Sequence, residues 1–331
     1  MKSRALFALP GALSVLLLSS LTGAQDIDVS GNLTMRDSTD STVGNVLKEG
    51  VPFLHNFGTS NTFLGSGAGN FMMSGFGNTA TGIGALGNND TGNRNTATGR
   101  IALYNNTTGS QNTGCGESVL SSNTTGSNNT AIGTAALNQN TSGSENTAVG
   151  IGALTSNNGG SSNTAIGASA NVSSFNLTNA TAIGAGAIVN ASNKIRLGDT
   201  AVTMIEGQVG FTASSDRNQK ENFLPVDREE VLGRIGELTL TSWNFIGHDA
   251  QQFRHYGPMA QDFFAAFGHD GIGTIGTDTT ITSTDMDGIL MIAAQALEKR
   301  TEALRAENVD LRARVEALER RISSCAPTKV K

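Results

Sequence analysis

Cysteine, charge and aromatic rings are all scarce in this 331-residue chain, and each shortage removes a class of explanation. The two cysteines, Cys115 and Cys325, stand far apart in the sequence, which excludes a disulfide framework. Charged residues make up 15% of the chain, with a net charge of -6 and no basic cluster, so no electrostatic footprint for nucleic acid is present. The four histidines are dispersed, which argues against a metal site, and no cofactor is expected. Aromatics are held to 5%. What fills the space is 41 glycines together with Asn, Thr and Ser, a composition that points to extended β architecture.

The first residues read as an export signal. Lys2 and Arg4 precede an apolar run from Ala5 to Leu18, and small residues end at Thr22-Gly23-Ala24. Cleavage after Ala24 is expected, giving a mature protein that is secreted or displayed at the cell surface. The apolar run is too short for a comfortable membrane span, and none other approaches that length. No cysteine follows the cleavage site to carry a lipid.

From Thr62 the chain repeats with a period of 17: Thr62, Thr79, Thr96, Thr113, Thr130, Thr147, Thr164 and Thr181 share one phase, and Gly65 to Gly184 another. Each unit reads roughly Asn-Thr-Ala-x-Gly-x-x-Ala-Leu followed by a polar turn such as Asn123-Thr124-Thr125-Gly126. The Thr-Ala-x part predicts one short strand, the Ala-Leu part a second, and the polar tail a reversal. A unit so short cannot bury a face alone, so the units are expected to stack into a β-solenoid over residues 61–200, a rod on the order of 35 Å long. Ala85, Ala102, Ala136, Ala153, Ala168 and Ala187 are expected at the tightest contacts, and Cys115 is expected to be a small buried residue. The array resembles the head repeats of trimeric autotransporter adhesins, which implies a β-roll that trimerises. Residues 25–60, with Asp28–Met35 and Val51–His55, look like an N-terminal cap or attachment segment. A sugar-cleaving solenoid would need paired carboxylates, but Asp90, Glu117, Glu145 and Asp199 occupy different phases of the repeat. The Asn-x-Thr sequons are explained by the turns.

Beyond the array, Lys194–Gly198 and Ala201–Met204 suggest strands, Asp227–Leu238 a helix capped by Asp227 with Glu230 as capping-box partner, Leu240–Ile246 a strand and Pro258–Phe267 a second helix. Residues 213–289 therefore predict a small α+β domain. Its first residues place Ser215 five positions before Lys220, an arrangement in which a lysine amine can take a serine's proton if burial keeps it neutral. Leu290, Leu297, Leu304, Leu311 and Leu318 recur every seven residues, with Asn308 at an alternate core position, and predict a coiled coil over residues 290–322. Leucine with Asn308 leans towards dimers.

The run Ser215-Asp216-Arg217-Asn218-Gln219-Lys220-Glu221-Asn222-Phe223, with Arg254–Phe263 downstream, resembles the self-cleaving intramolecular chaperone domain of phage endosialidases and tail spikes. The resemblance implies a homotrimer and cleavage beside Ser215, at the 214–215 or the 215–216 bond, with Ser215 as nucleophile and Lys220 as base. Asp216, Gln261 and Asp262 fall at matching positions, and His255 adjoins them as a supporting residue. Many phage members carry arginine three residues after the serine, where this chain has Asn218, so no role passes to Arg217. The sequence thus predicts a mainly β protein, a solenoid followed by an α+β chaperone domain and a coil. It would act as an exported trimeric fibre or adhesin with a cell-surface or glycan receptor and a single-turnover autoprotease. The rivals are a structural adhesin with an inactive cleavage site and a glycan-active fibre enzyme.

Overall fold

The computed structural model describes residues 37–41, 43–206 and 214–324. The expected signal and its cleavage point at Ala24, the Asp28–Met35 segment and Cys325 lie outside these residues. The chain divides after Asp199 into two units.

The first unit is a β-solenoid of about eight turns, built because each repeat offers one three-residue strand and a tight polar return. A hairpin of β1 (Val46–Lys48) and β2 (Val51–His55) leads in. Parallel strands follow, β3 (Thr62–Leu64), β4 (Thr79–Thr81), β5 (Thr96–Thr98), β6 (Thr113–Cys115), β7 (Thr130–Ile132), β8 (Thr147–Val149) and β9 (Thr164–Ile166). β10 (Asn171–Val172) and β12 (Ile188–Val189) form a small parallel pair of their own. β11 (Thr181–Ile183) and β13 (Ile195–Leu197) complete the main sheet, whose order is β1-β2-β3-β4-β5-β6-β7-β8-β9-β11-β13. Register is strict: threonine pairs with threonine from β3 to β11 and inward residue with inward residue, as in Thr130↔Thr147 and Ala131↔Ala148. The Ala201–Met204 stretch, expected as a strand, has none.

The core of each coil is narrow and filled by small residues. Successive strand side chains alternate faces, and in Thr-Ala-x the alanine points inward: Ala80, Ala97, Ala131, Ala148, Ala165 and Ala182 are fully buried. Facing them are Ala85, Ala102, Ala136, Ala153 and Ala187, also fully buried inside a single chain's own coil. The equivalent in the intervening repeat is Ala170, buried, and not Ala168, which is exposed. These alanines therefore pack within the coil and not around an axis between chains. Volume is conserved where the pattern breaks. Gly114 replaces the strand alanine opposite Val119, and a methyl added at Gly114 would stand 3.0 Å from that valine. Phe63 takes the same inward slot where Gly69 leaves room for its ring.

The Ala-Leu part is a turn and not a second strand. Leu86, Leu103, Leu120, Leu137 and Leu154 are fully buried with φ between 49 and 54°, a left-handed conformation that turns the backbone while driving the side chain into the core. Two asparagine ladders do the rest. Asn61, Asn78, Asn95, Asn112, Asn129, Asn146 and Asn163 precede the strands and hand hydrogen bonds from coil to coil, Asn146 N donating to Asn129 Oδ1 at 3.0 Å and Asn129 Nδ2 donating to Gly143 O at 2.9 Å. Asn89, Asn106, Asn123, Asn140 and Asn157 form the second, and Asn123 of the sequon is buried there, bonded to Asn106 and Gly126. Buried polar groups are tolerated when paired, and here the pairing repeats with the period of the chain.

The second unit holds α1 (Arg228–Glu237), a hairpin of β14 (Thr241–Trp243) and β15 (His255–Gly257), α2 (Ala260–Phe267) and the long α3 (Ser283–Ser324). Asp227 caps α1 by accepting from Glu229 N and Glu230 N, while Glu230 pairs with Arg234 rather than closing a capping box. Val231, Phe263 and Phe267 form the small core, with Ile235, Ile289 and Ile292 against it. The first turns of α3 pack on α1 through buried Ala293 and Ala296 and the Arg300–Glu229 ion pair. The rest of the 42-residue helix, including Leu297, Leu304, Leu311 and Leu318, is exposed in the single chain, as expected of a coiled-coil strand without its partners.

Candidate functional site: a serine and lysine joined by one tight turn

A single 3-10 turn, Arg217–Gln219, brings Ser215 and Lys220 together. Asp216 starts it by accepting from Asn218 N at 2.9 Å and from Asn218 Nδ2 at 3.1 Å. Gln219 N donates to Asp216 O and Lys220 N to Arg217 O, so the backbone has reversed by the time Lys220 is reached. Five residues of separation are therefore what one such turn needs to return a long side chain to its start. Lys220 Nζ lies 2.6 Å from Ser215 Oγ. Arg217 is directed away, its guanidinium 5.3 Å over the ring of Phe223. Ser214 Oγ donates to Gln219 Oε1 at 3.2 Å across the same turn. All of these side chains are exposed in the single chain.

The other residues singled out in the sequence are placed as follows. Asp216 is the cap just described. His255 stands on β15 with its ring stacked on Trp243 at 4.7 Å, a contact set by the antiparallel register of the two strands. Gln261 and Asp262 lie exposed in the first turn of α2. No hydrogen bond links His255, Gln261 or Asp262 to Ser215 or Lys220 among the described residues, so the structure brings together the serine, the lysine and the aspartate cap, and leaves the others on separate elements. No group of three or more His, Cys, Asp or Glu that could hold a metal occurs among the described residues. In the solenoid, Glu117 is tied to Arg100 of the preceding coil and Glu145 accepts from Ser162 of the next.

Two residues stand differently from what the sequence predicts. His55 was placed only in a capping segment, yet it is buried at the end of the solenoid, with Nε2 2.7 Å from Ala68 O and its ring stacked 4.3 Å from Phe71. Burial pushes its pKa below the ordinary histidine value, the contact with the carbonyl opposing. Second, Cys115 is exposed, contrary to expectation, because the inward position of β6 belongs to Gly114. The period-17 phase of the asparagines was the available signal for the ladders, and the alternation of a three-residue strand was the signal for Cys115.

The described residues thus form a β-solenoid followed by a small α+β region and a long helix with a heptad pattern. Residues 215–272 match the family described as chaperone of endosialidase, the peptidase S74 family, and the match begins at Ser215 itself. No curated protein matches the chain significantly. The combination of an endosialidase-type chaperone domain and a β-solenoid fits a phage tail fibre or an adhesin. No helix among the described residues is long and apolar enough to cross a membrane.

Proposed function

We propose that the protein is an exported trimeric fibre or adhesin whose C-terminal domain aligns three chains and then cuts itself off beside Ser215. The observation that carries this reading is the 2.6 Å contact between Lys220 Nζ and Ser215 Oγ inside the segment matched by the chaperone family. Ser215 is the nucleophile and Lys220 the base. A lysine amine accepts a proton only when neutral, and burial is what favours the neutral form. Because both side chains are exposed in one chain, burial falls to the neighbouring copies, and cutting follows assembly. Attack by Oγ on the Ser214 carbonyl moves the acyl group from nitrogen to oxygen through a five-membered ring; the Ser215 nitrogen takes a proton, and water then hydrolyses the ester. Scission on the Asp216 side is the other bond open to the same pair. The exposed heptad leucines supply the association, and the receptor of the solenoid is a cell-surface molecule or glycan.

The test is a denaturing gel of freshly expressed full-length protein with intact-mass analysis of the fragments. Ser215→Ala should give one uncut chain that still assembles. Lys220→Ala should slow cutting by several powers of ten. Arg217→Ala should change the rate far less. A Ser215→Ala chain still cut at the same bond would assign the scission to another protease.

A further inference from the structure

The outward side of the strand column carries the other feature that the single chain leaves unexplained. In β7, β8, β9, β11 and β13 the third residue is Ile132, Val149, Ile166, Ile183 and Leu197, joined in register from strand to strand. Ile132 is 45% exposed, Ile166 44%, Ile183 40% and Leu197 37%. Together they form an unbroken aliphatic ridge about 19 Å long at the usual strand spacing. Beside it runs a column of eight threonines, Thr62 to Thr181, whose hydroxyls have no hydrogen-bond partner among the described residues. Neither outward column holds a charged or an aromatic residue from β3 to β13. On these strands the smaller alanine lies inside and the larger aliphatic outside, and contiguous exposed apolar surface of this kind marks an interaction site.

We infer that this face is where the solenoids of three copies of the chain meet, the threonine and aliphatic columns lining the axis. The inference rests on the assembly proposed above and adds which surface the solenoid contributes to it. Copies are the occupant because the chain already carries a second unpartnered surface, the heptad stripe of α3, through which the assembly proposed above joins identical chains in parallel. Parallel copies place equal heights of the column opposite one another, aliphatic against aliphatic and threonine against threonine. The absence of charge gives an acidic or basic partner nothing to recognise, and the absence of rings gives a sugar nothing to stack on. The threonine chemistry suits three chains: a hydroxyl is one donor and an acceptor, so three around an axis close a ring in which each donates once and accepts once. Cys115 stands in the aliphatic column, on β6, and reports on the face without any engineered site.

The experiment uses the full chain with Cys325→Ser, so that Cys115 is the single thiol, treated in the native state with a short bismaleimide after its mass is measured by light scattering. A trimer in which Cys115 links about two chains in three, a ring of three offering partners in pairs, is the expected result. The control, Cys115→Ser with Thr125→Cys in the polar turn of the same coil, should stay unlinked. A trimeric mass with Cys115 unlinked, or with the Thr125→Cys chain linked equally well, overturns the assignment of the face while leaving assembly standing. A single-chain mass overturns the assembly and the face together.

Discussion

Replacing Asn129 tests whether the asparagine ladders hold the solenoid together. Its side chain accepts from Asn146 N and Asn146 Nδ2, both at 3.0 Å, and donates to Gly143 O at 2.9 Å and to Asn112 Oδ1 at 3.0 Å. Asn129→Ala removes all four bonds, each contributing about 0.5–1.5 kcal/mol net. Gly143 O keeps its bond from Asn140 Nδ2, Asn112 Oδ1 keeps the backbone N–H of residue 129, and Asn146 Nδ2 keeps Gly160 O. One group is orphaned, the buried Asn146 N–H, at about 1–3 kcal/mol. The other three bonds and this orphan together give a loss of roughly 3–7 kcal/mol, confined to neighbouring coils because repeats interact with their nearest neighbours. Native-state hydrogen exchange of peptides spanning β6 to β9 reads this directly, and the expected acceleration is about a hundredfold to a hundred-thousandfold. Asn129→Asp keeps the two accepting bonds but turns an oxygen towards Gly143 O and Asn112 Oδ1. The folded state should then hold a proton more tightly than a free carboxylate does. Stability would be greatest below the unfolded carboxylate value of about 3.9 and would fall as pH rises towards the folded value, whereas the alanine variant should show no such slope. If Asn129→Ala exchanges no faster than Asn128→Ala, whose side chain is exposed, the ladder is ornamental and the reasoning fails.

Three further outcomes are expected. Gly133→Ala should destabilise the coil by roughly 1–3 kcal/mol from backbone conformation alone, since φ is 122°, and by more because the new methyl would stand 2.6 Å from Gly150 O; thermal melts followed by circular dichroism would show it. The N-terminal end of the solenoid should loosen in acid: with the folded pKa of His55 lowered, its stability is full above the unfolded value of about 6.5 and declines as pH falls below it, and His55→Phe should flatten that dependence in exchange of the β2 peptide. Truncation after Thr301 keeps Ala293, Ala296 and the Arg300–Glu229 pair but removes most of the heptad leucines, so the chain should fold, lose its trimers by light scattering, and stop cutting itself.

The period, the threonine and glycine phases, the capped helix α1 and the heptads were legible because each is a spacing, and spacing survives in one dimension. The side on which a strand residue falls was not. Ile132 and Cys115 look like core and Ala131 like filler, yet the middle residue of each three-residue strand is the one that faces the buried leucines, and the residue after it falls outward whatever its size. The left-handed leucines were hidden for a related reason: Ala-Leu reads as strand or helix, and only the closing of the coil makes Leu137 pay for a turn with its side chain in the core. At the serine and lysine, separation gave the pair, but the Asp216 cap that makes five residues the right number became visible only with the turn itself.

The strict coil-to-coil repetition also makes length a separate variable from shape. The ladder contacts of one coil are reproduced in the next, the bond from Asn140 to Asn123 reappearing from Asn157 to Asn140. A duplication or loss of one whole repeat would leave both ladders, the glycine column and the outward face continuous, and change the rod by about 4.8 Å. Reach can therefore be lengthened or shortened in fixed increments by unequal exchange within the gene, with neither the capping hairpin nor the C-terminal domain needing to change.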